Sequence, residues 1–157
     1  MSSQVLTTQV LPAWVRLLRA HAATTRQLSG ELFAEHGLTI NDFEALLHLS
    51  HAEDRAMRRV DLAEQLVLTA SGVTRLLDGL ERAGFVGKGN CESDARVTYA
   101  VLTDAGREKL NAAASTHLAQ VQALFEERFD RTELETLAEL LGRLPGAAGA
   151  DGGDCTP

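Results

Sequence analysis

Apolar residues recur every three or four positions over most of the chain, which is the spacing of one face of an α-helix. The first such stripe comprises Leu11, Trp14, Val15, Leu18, Ala22, Leu28, Leu32 and Phe33. It predicts one long helix from about residue 8 to 36, ended by Gly37, because glycine readily adopts the left-handed conformation that closes a helix. Pro12 is tolerated if it lies in the first turn of this helix and would otherwise bend the helix.

Three further helices are predicted before residue 84. Thr39 is a favourable N-cap and Asp42 an acidic first-turn residue, so the second helix should run to about residue 51. The polar stretch HAEDRAMRR, residues 51–59, is predicted to be a loop, and Asp61 to cap a short third helix. Thr69 is predicted to cap a fourth helix that extends to about residue 83. The inward-facing residues of that helix are Val73, Leu76, Leu77 and Leu80.

The helical pattern is interrupted once, by two short extended segments at about 85–89 and 96–102, which are expected to pair as a hairpin. A fifth helix capped by Thr103 follows, and Thr132 with Glu135 matches a capping box for a last helix that Pro145 stops. The apolar face of the fifth helix is Leu110, Ala114, His117, Leu118, Val121 and Phe125. Residues 146–157 are rich in Gly, Ala and Asp and are predicted to form a disordered tail.

Two short helices followed by a hairpin form the element order of a winged helix-turn-helix. The predicted fold is mainly α with a small β wing, in a single domain of residues 1–145. Residues 38–103 would form the winged helix-turn-helix lobe, and residues 5–36 and 104–145 the flanking helices. The apolar stripes of these flanking helices exceed what one small lobe would cover, which indicates a partner surface.

The fourth helix is the element that would meet DNA in such a lobe. Its N-terminal surface is small and polar, so a groove could approach it closely, and the free amides there favour a phosphate. Arg75 is long enough to reach a base edge, where guanine is the usual partner of arginine. The predicted contact residues on this helix are Thr69, Ser71, Gly72, Thr74 and Arg75.

The hairpin carries the second predicted contact. Its tip could place one cation, Arg96, in the neighbouring minor groove, where the potential is most negative. Asp94 would repel DNA and is therefore expected to hold Arg96 or a backbone amide in a fixed geometry. Lys88, at the base of the hairpin, is expected to contact phosphate.

Residues 62–110 resemble the MarR family of winged helix-turn-helix regulators. The resemblance is carried by LTASGVTRLLDGLERAGFV, by Asp94-Ala95-Arg96 in the wing and by LTDAG after it. It implies a homodimer, paired through the first and last helices, that binds a palindromic operator as a repressor. Ser71, Thr74 and Arg75 then match recognition-helix positions, and Arg96 matches the minor-groove arginine. The chain departs from the family pattern at Ala95, where a second arginine is usual.

The charge of the chain is unevenly distributed. The formal net charge is -7, which by itself argues against nucleic acid. However, residues 55–96 contain seven basic and six acidic residues, so the acidity lies in the flanks. A helical protein-interaction or scaffold module without DNA binding is therefore the alternative function.

Enzyme chemistry finds no support in the sequence, because no P-loop, GxSxG or HExxH motif is present. No cofactor is predicted. Cys91 and Cys155 do not make a disulfide framework, and no signal peptide or apolar run of membrane-spanning length is visible. A cytoplasmic protein without a membrane partner is expected. Cys91 is either a plain thiol or a redox switch.

A small-molecule effector is implied by the resemblance, since relatives bind such molecules between the dimerisation helices and the DNA-binding lobe. The candidate lining residues are Trp14, Arg16, His21, Phe43 and His48. The alternative is that Trp14 and Phe43 are ordinary core residues. His48 and His51 are spaced i, i+3 and could bind zinc with Glu35, Glu53 or Asp54, although two such histidines are more often solvated.

Overall fold

The computed structural model describes residues 2–90 and 93–147, and within these ranges the chain is mainly helical. The elements in chain order are α1 (Ser2–His36), α2 (Ile40–His51), a 3-10 turn (Glu53–Arg55), β1 (Ala56–Arg58), α3 (Arg59–Gln65), α4 (Ala70–Arg82), β2 (Val86–Asn90), β3 (Thr98–Leu102), α5 (Asp104–Glu126) and α6 (Arg131–Gly142). The predicted class, mainly α with a small β wing, is confirmed. Cys91, Cys155 and the greater part of the predicted tail lie outside the described residues.

Three threonines begin helices as their sequence context predicts. Thr39 Oγ1 accepts a hydrogen bond from the backbone amide of Asp42, and the Asp42 carboxylate accepts one from the backbone amide of Thr39, which completes a capping box. Thr69 and Thr103 accept from the amides of Gly72 and Gly106 in the same way. Each cap satisfies a donor that the first helical turn leaves free, and so fixes where α2, α4 and α5 start.

The hydrophobic core joins residues 38–103 to the middle of the long helices. Its largest fully buried side chains come from four consecutive helices and are Leu32, Leu46, Leu49, Leu62 and Leu77. Val86, Ala100 and Leu102 extend the core from the sheet, and Leu110 and Ala113 extend it from α5. Truncating any one of the five leucines to alanine would cost about 2–5 kcal/mol in a close-packed interior.

The sheet has three antiparallel strands in the order β1-β3-β2, so β3 is central. Lys88 of β2 and Met57 of β1 both lie opposite Ala100 of β3. The prediction that residues 51–59 form a loop was therefore wrong, because this stretch contains the 3-10 turn and β1. A three-residue edge strand exposes its polar side chains and leaves no alternating apolar pattern to detect.

Three boundary predictions were also wrong. Arg58, not Asp61, is the N-cap of α3, and Asp61 lies within its first turn. The capping box of α6 pairs Asp130 with Glu133, two positions before the predicted pair of Thr132 and Glu135. Helix α1 begins at Ser2, so Pro12 lies inside the helix rather than in its first turn.

The outer parts of α1 and α6 contribute little to the core of this single chain. Helix α6 has no buried residue, although it carries several leucines. The exposed large apolar side chains of the two ends are Val10, Leu11, Trp14, Val15, Leu18, Phe129, Leu140, Leu141 and Leu144. Apolar surface of this extent on two helices is typical of a face that another molecule covers. In the described residues, none of the helices combines the length and the apolarity that crossing a membrane would need.

Candidate nucleic-acid interface

Helix α4 separates its apolar and polar residues onto two faces. Val73, Leu77 and Leu80 are buried against the core, whereas Arg75 is exposed on the opposite face. The exposed polar residues on that face also include Ser71, Thr74, Asp78 and Arg82. The prediction that the outer surface of this helix is free and polar is confirmed for the single chain. The helix can therefore present its first two turns to a groove.

The hydroxyl groups at the start of α4 are held by the helix itself. Thr69 Oγ1 accepts from the amide of Gly72 at 3.1 Å and lies 3.2 Å from Ser71 Oγ. Thr74 Oγ1 donates to the carbonyl oxygen of Ala70 at 2.9 Å. A hydroxyl that donates to the backbone keeps lone pairs with which it can accept. Thr74 therefore offers an acceptor and a methyl group to a base edge.

The basic residues of the lobe differ in whether they are already paired. Arg55 is paired with Asp104 and Arg58 with Asp61, both across exposed or half-exposed contacts. Two hydrogen bonds, of 2.7 and 2.8 Å, join the Arg58 guanidinium to Asp61, and this bonding raises the pKa of Arg58 above its usual value. These guanidinium groups are therefore partly neutralised before any ligand arrives.

By contrast, Arg75 makes no hydrogen bond or ion pair with any residue in the described part of the chain. Arg82 uses Nε to donate to the backbone carbonyl of Asp78, so its charge is not neutralised by a carboxylate there. Both side chains are exposed on α4. Within the described part of the lobe, the arginines without a carboxylate partner are thus Arg75 and Arg82, and both lie on the helix that would enter a groove.

The wing places Arg96 in solvent and anchors it at its base. The Arg96 side chain is 93% exposed. Asp94 Oδ1 accepts from the Arg96 backbone amide at 3.0 Å and from Nε at 3.4 Å. The prediction that Asp94 holds Arg96 and a backbone amide is confirmed as a contact. An exposed ion pair of this kind contributes little stability, but it orients the guanidinium and leaves its terminal nitrogens free.

Lys88 has a partner that the sequence did not reveal. Its Nζ lies 3.5 Å from Glu81 Oε2, and Glu81 Oε1 accepts from Arg59 Nη2 at 2.9 Å. Glu81 therefore connects the start of α3 and the base of the wing to the recognition helix. Residues from three separate elements meet here, so no local pattern in the sequence could indicate the contact.

The five predicted effector residues differ in their surroundings. Phe43 is a core residue and its ring packs against His117, with the ring centroids 4.9 Å apart. Trp14, Arg16 and His21 are exposed on α1, and His48 is half-buried. Among the described residues, one surface depression on α4 and one at the 3-10 turn and sheet are lined by other side chains.

The predicted zinc ligands are not assembled either. His48 is half-buried and His51 is exposed. Within residues 2–90 and 93–147, no three histidine, cysteine or carboxylate side chains lie close enough to hold a metal ion. The pair His48 and His51 therefore lacks the further ligands that a structural zinc site requires.

Polar contacts join the two long helices beside the core. His36 Nε2 lies 3.0 Å from Thr116 Oγ1, and Gln120 Nε2 donates to Glu35 Oε1 at 3.1 Å. Next to them, burial lowers the pKa of His117 below its usual value. These contacts connect α1, which carries the exposed apolar face, to α5, which leads from the wing.

Comparison with known proteins gives a consistent assignment. A family model described as transcriptional regulator SarA/Rot matches residues 27–113, more than half of the chain. The HTH-type transcriptional repressor YetL of Bacillus subtilis is 32% identical over 112 residues. That match spans 71% of this chain and 66% of the relative, just under two thirds of its length.

Solved structures of similar fold extend the comparison to most of the chain. AbsC, a MarR family transcriptional regulator from Streptomyces coelicolor, is 34% identical with a TM-score of 0.74, covering 83% of this chain and 88% of its own. A second MarR family regulator from that organism, in complex with DNA, is 26% identical with a TM-score of 0.76, covering 83% and 82%. The chain belongs to the MarR family of winged helix-turn-helix regulators, whose members are DNA-binding transcriptional regulators and not enzymes.

Proposed function

We propose that the protein is a homodimeric repressor that binds a palindromic DNA operator and is released by a small molecule. The observation that carries the proposal is the placement of exposed basic side chains on α4 and on the wing. Arg75 and Arg82 lie on the exposed face of α4, and Arg96 extends from the wing beside it. Positive charge on these two elements matches the two grooves that a winged helix contacts.

The first two turns of α4 would enter the major groove. Arg75 would bond guanine, while Ser71 and Thr74 would contact bases or phosphates. Gly72 would allow close approach of the DNA, and the Thr69 cap leaves further first-turn amides available to a phosphate. This set of predicted contacts rests on the geometry of the exposed face of α4.

The wing would contact the adjacent minor groove. The Arg96 side chain is 93% exposed and would sit in the groove, where its terminal nitrogens meet the negative potential. Asp94 would orient Arg96 rather than touch DNA. Lys88, expected from the sequence to contact a phosphate at the base of the wing, would instead stay paired with Glu81.

Dimerisation is supported by the uncovered apolar faces of α1 and α6. Residues 5–36, in α1, and residues 104–145, in α5 and α6, would pair with the same helices of a second chain. A two-fold axis would then place two copies of residues 38–103 against successive half-sites, because operator symmetry mirrors protein symmetry. The solved MarR family relative in complex with DNA supports the same use of the lobe.

An effector would act at the junction between these helices and the lobe. The candidate lining residues are Trp14, Arg16 and His21 on α1 and His48 on α2, with the core residue Phe43 as a fifth. We place the protein in the cytoplasm, where its operator lies. The repressor role is supported by the name of the similar Bacillus subtilis protein.

The test is a fluorescence anisotropy titration with the DNA that flanks the gene of this protein, against a shuffled sequence of equal composition. Both titrations are done at about 50 and 200 mM salt, because contacts to phosphates make binding steeply salt-dependent. We expect tighter binding to the natural DNA and a steep loss of affinity with salt. Equal, salt-insensitive affinities for both sequences would support the scaffold function instead.

A further inference from the structure

The geometry points to Glu81 as the positioning residue that sets the specificity of the DNA-binding lobe. It would do so by joining the recognition helix to the wing and by neutralising two cations that would otherwise bind any phosphate. This inference rests on the proposed DNA-binding function. It concerns a residue on the side of α4 that faces α3 and β2, away from the predicted base contacts.

The contacts of Glu81 divide between its two carboxylate oxygens. Oε1 accepts from Arg59 Nη2 at 2.9 Å, and Oε2 lies 3.5 Å from Lys88 Nζ. Arg59 is the first residue of α3, and Lys88 lies in β2. The Glu81 side chain therefore connects α4 to α3, which precedes it in the chain, and to β2 of the wing, which follows it.

The burial of these groups makes the Arg59 contact stronger than a surface ion pair. The Glu81 and Arg59 side chains are 19% and 22% exposed, whereas Lys88 is 60% exposed. Partly buried pairs are screened less by solvent and salt than exposed ones. Arg59 Nε is buried without a hydrogen bond among the described residues, so the guanidinium depends on Glu81. The ion pair between Glu81 and Arg59, which joins α4 to α3, is therefore the stronger one. The ion pair between Glu81 and Lys88, which joins α4 to the wing, is weaker and opens more easily.

The position of Glu81 in its helix indicates that it is not there to stabilise α4. It lies in the last turn, one residue before Arg82 at the end of the helix. A carboxylate there opposes the helix dipole, which favours cations at the C-terminus. Its compensation comes from Arg59 and Lys88, so its contribution is to the arrangement of the three elements.

Two consequences for DNA binding follow. With Glu81 present, Arg59 and Lys88 contribute little free positive charge, which lowers affinity for random sequence. The base of the wing is also held in place against α4, so the distance and orientation between Arg96 and Arg75 are fixed when the two side chains enter their grooves. Specificity is a difference between two affinities, and both effects increase it.

The experiment compares Glu81→Gln with Glu64→Gln in the full-length protein, on operator and random DNA over a range of salt. The Glu64 side chain is exposed on α3 and makes no hydrogen bond or ion pair within the described residues, so its variant removes the same charge from the same lobe. For Glu81→Gln we expect a salt slope steeper by about 1, as one extra phosphate contact gives. The ratio of operator to random affinity should fall about tenfold, the size of one mismatched base pair.

Equal slopes and equal ratios for the two variants would overturn the inference. If Glu81→Gln does not fold, as circular dichroism would reveal, Lys88→Gln decides the question. For Lys88→Gln, a lower ratio of operator to random affinity with an unchanged salt slope would support the inference. A salt slope shallower by about 1 would mean that Lys88 already binds a phosphate in the wild-type protein, and would overturn the inference. If the wild-type protein shows neither sequence preference nor a salt slope, the proposed function itself fails. That result differs from every outcome of the comparison between variants.

Discussion

Two arginines of the interface differ in their neighbours, and this difference predicts different defects on substitution. Arg75 lies on α4 without a partner among the described residues, whereas Asp94 holds Arg96 on the wing. We expect Arg75→Ala to reduce discrimination at one base pair in each half-site by about 1–3 kcal/mol. Arg96→Ala should instead weaken binding to all sequences with A/T-rich flanks and make the salt slope shallower by about 1.

Competition titrations with single base-pair variants of the operator measure both effects. The matched control is Arg131→Ala, which removes an exposed arginine of α6 that pairs with Glu135, away from the lobe. It should leave the pattern of base-pair preferences unchanged. If Arg75→Ala lowers the affinity for every operator variant equally, Arg75 binds phosphate and not a base.

Gly106 is fixed by the close approach of the wing to α5. A Cβ at this position would overlap the carbonyl oxygen of Phe85 and lie 2.8 Å from Leu102 Cδ1. The same Phe85 carbonyl accepts from the amide of Thr103, so the backbone there cannot easily move. Gly106→Ala should therefore lower the free energy of unfolding by about 2–3 kcal/mol, as overpacking does.

Gly79 is the matched control for this substitution, because a Cβ there would meet no atom within 4 Å. Gly79→Ala should raise the free energy of unfolding by about 0.5–1 kcal/mol, since alanine is the better helix former. Urea unfolding followed by circular dichroism measures both variants. Equal stability of Gly106→Ala and the wild type would mean that α5 and the wing do not pack this closely.

At the scale of elements, the sequence predicts best what is determined locally. The caps Thr39, Thr69 and Thr103 were predictable because the hydroxyl and the amide that it accepts from lie within three residues. Asp94 and Arg96 were predictable as a pair for the same reason. The capping box of α6 was misplaced because both Asp130 with Glu133 and Thr132 with Glu135 match the spacing rule.

Elements that depend on distant partners were not predictable. The strand β1 exists because β3 offers it an edge, and its own residues carry no apolar alternation. Likewise, Glu81 looked like an ordinary charge of α4, and only the fold brings Arg59 and Lys88 to it. The exposed face of α4 was predictable from helical periodicity, whereas the ion pairs that neighbouring elements make with α4 were not.

The packing of α5 against α2 predicts a pH dependence of stability. The His117 ring packs at a tilt against the Phe43 ring, and burial lowers the pKa of its imidazole below the usual value of about 6.5. The unfolded chain then takes up the proton first as the pH falls. The contribution of His117 is therefore fully present above about pH 6.5 and is lost as the pH falls through the lower pKa of the folded state.

His117→Phe keeps a ring against Phe43 but removes the proton site. Between about pH 7.5 and 5.5 the Tm of this variant should fall less than that of the wild type, as thermal unfolding at several pH values would measure. The two proteins are compared first at about pH 8, where the imidazole of both folded and unfolded wild type is neutral. An identical fall in Tm for both proteins would mean that His117 titrates alike in the folded and unfolded chains.

For the whole molecule, the distribution of charge and apolar surface separates two regions. The net charge of -7 arises outside residues 55–96, where acidic residues outnumber basic ones by sixteen to eight. The exposed apolar residues of α6 lie in that acidic part, whereas α1 carries three arginines and two glutamates. The acidic helices α5 and α6 would keep the DNA away from their side of the dimer, so the phosphates would meet the two lobes.

This arrangement makes operator binding depend on side chains that never touch DNA. Leu18 of α1 and Leu141 of α6 are both exposed in the single chain. A glutamate at either position would be buried unpaired in the proposed dimer and would cost about 3 kcal/mol or more, which raises the dimer Kd over a hundredfold. Light scattering should therefore find that the Leu18→Glu and Leu141→Glu variants are folded monomers, and both should bind the operator weakly.

Val60→Glu, on the exposed surface of α3, makes the same change outside those helices and should remain dimeric. If Leu18→Glu and Leu141→Glu stay dimeric, the two chains pair through another surface, and the half-sites of the operator would then have a different spacing.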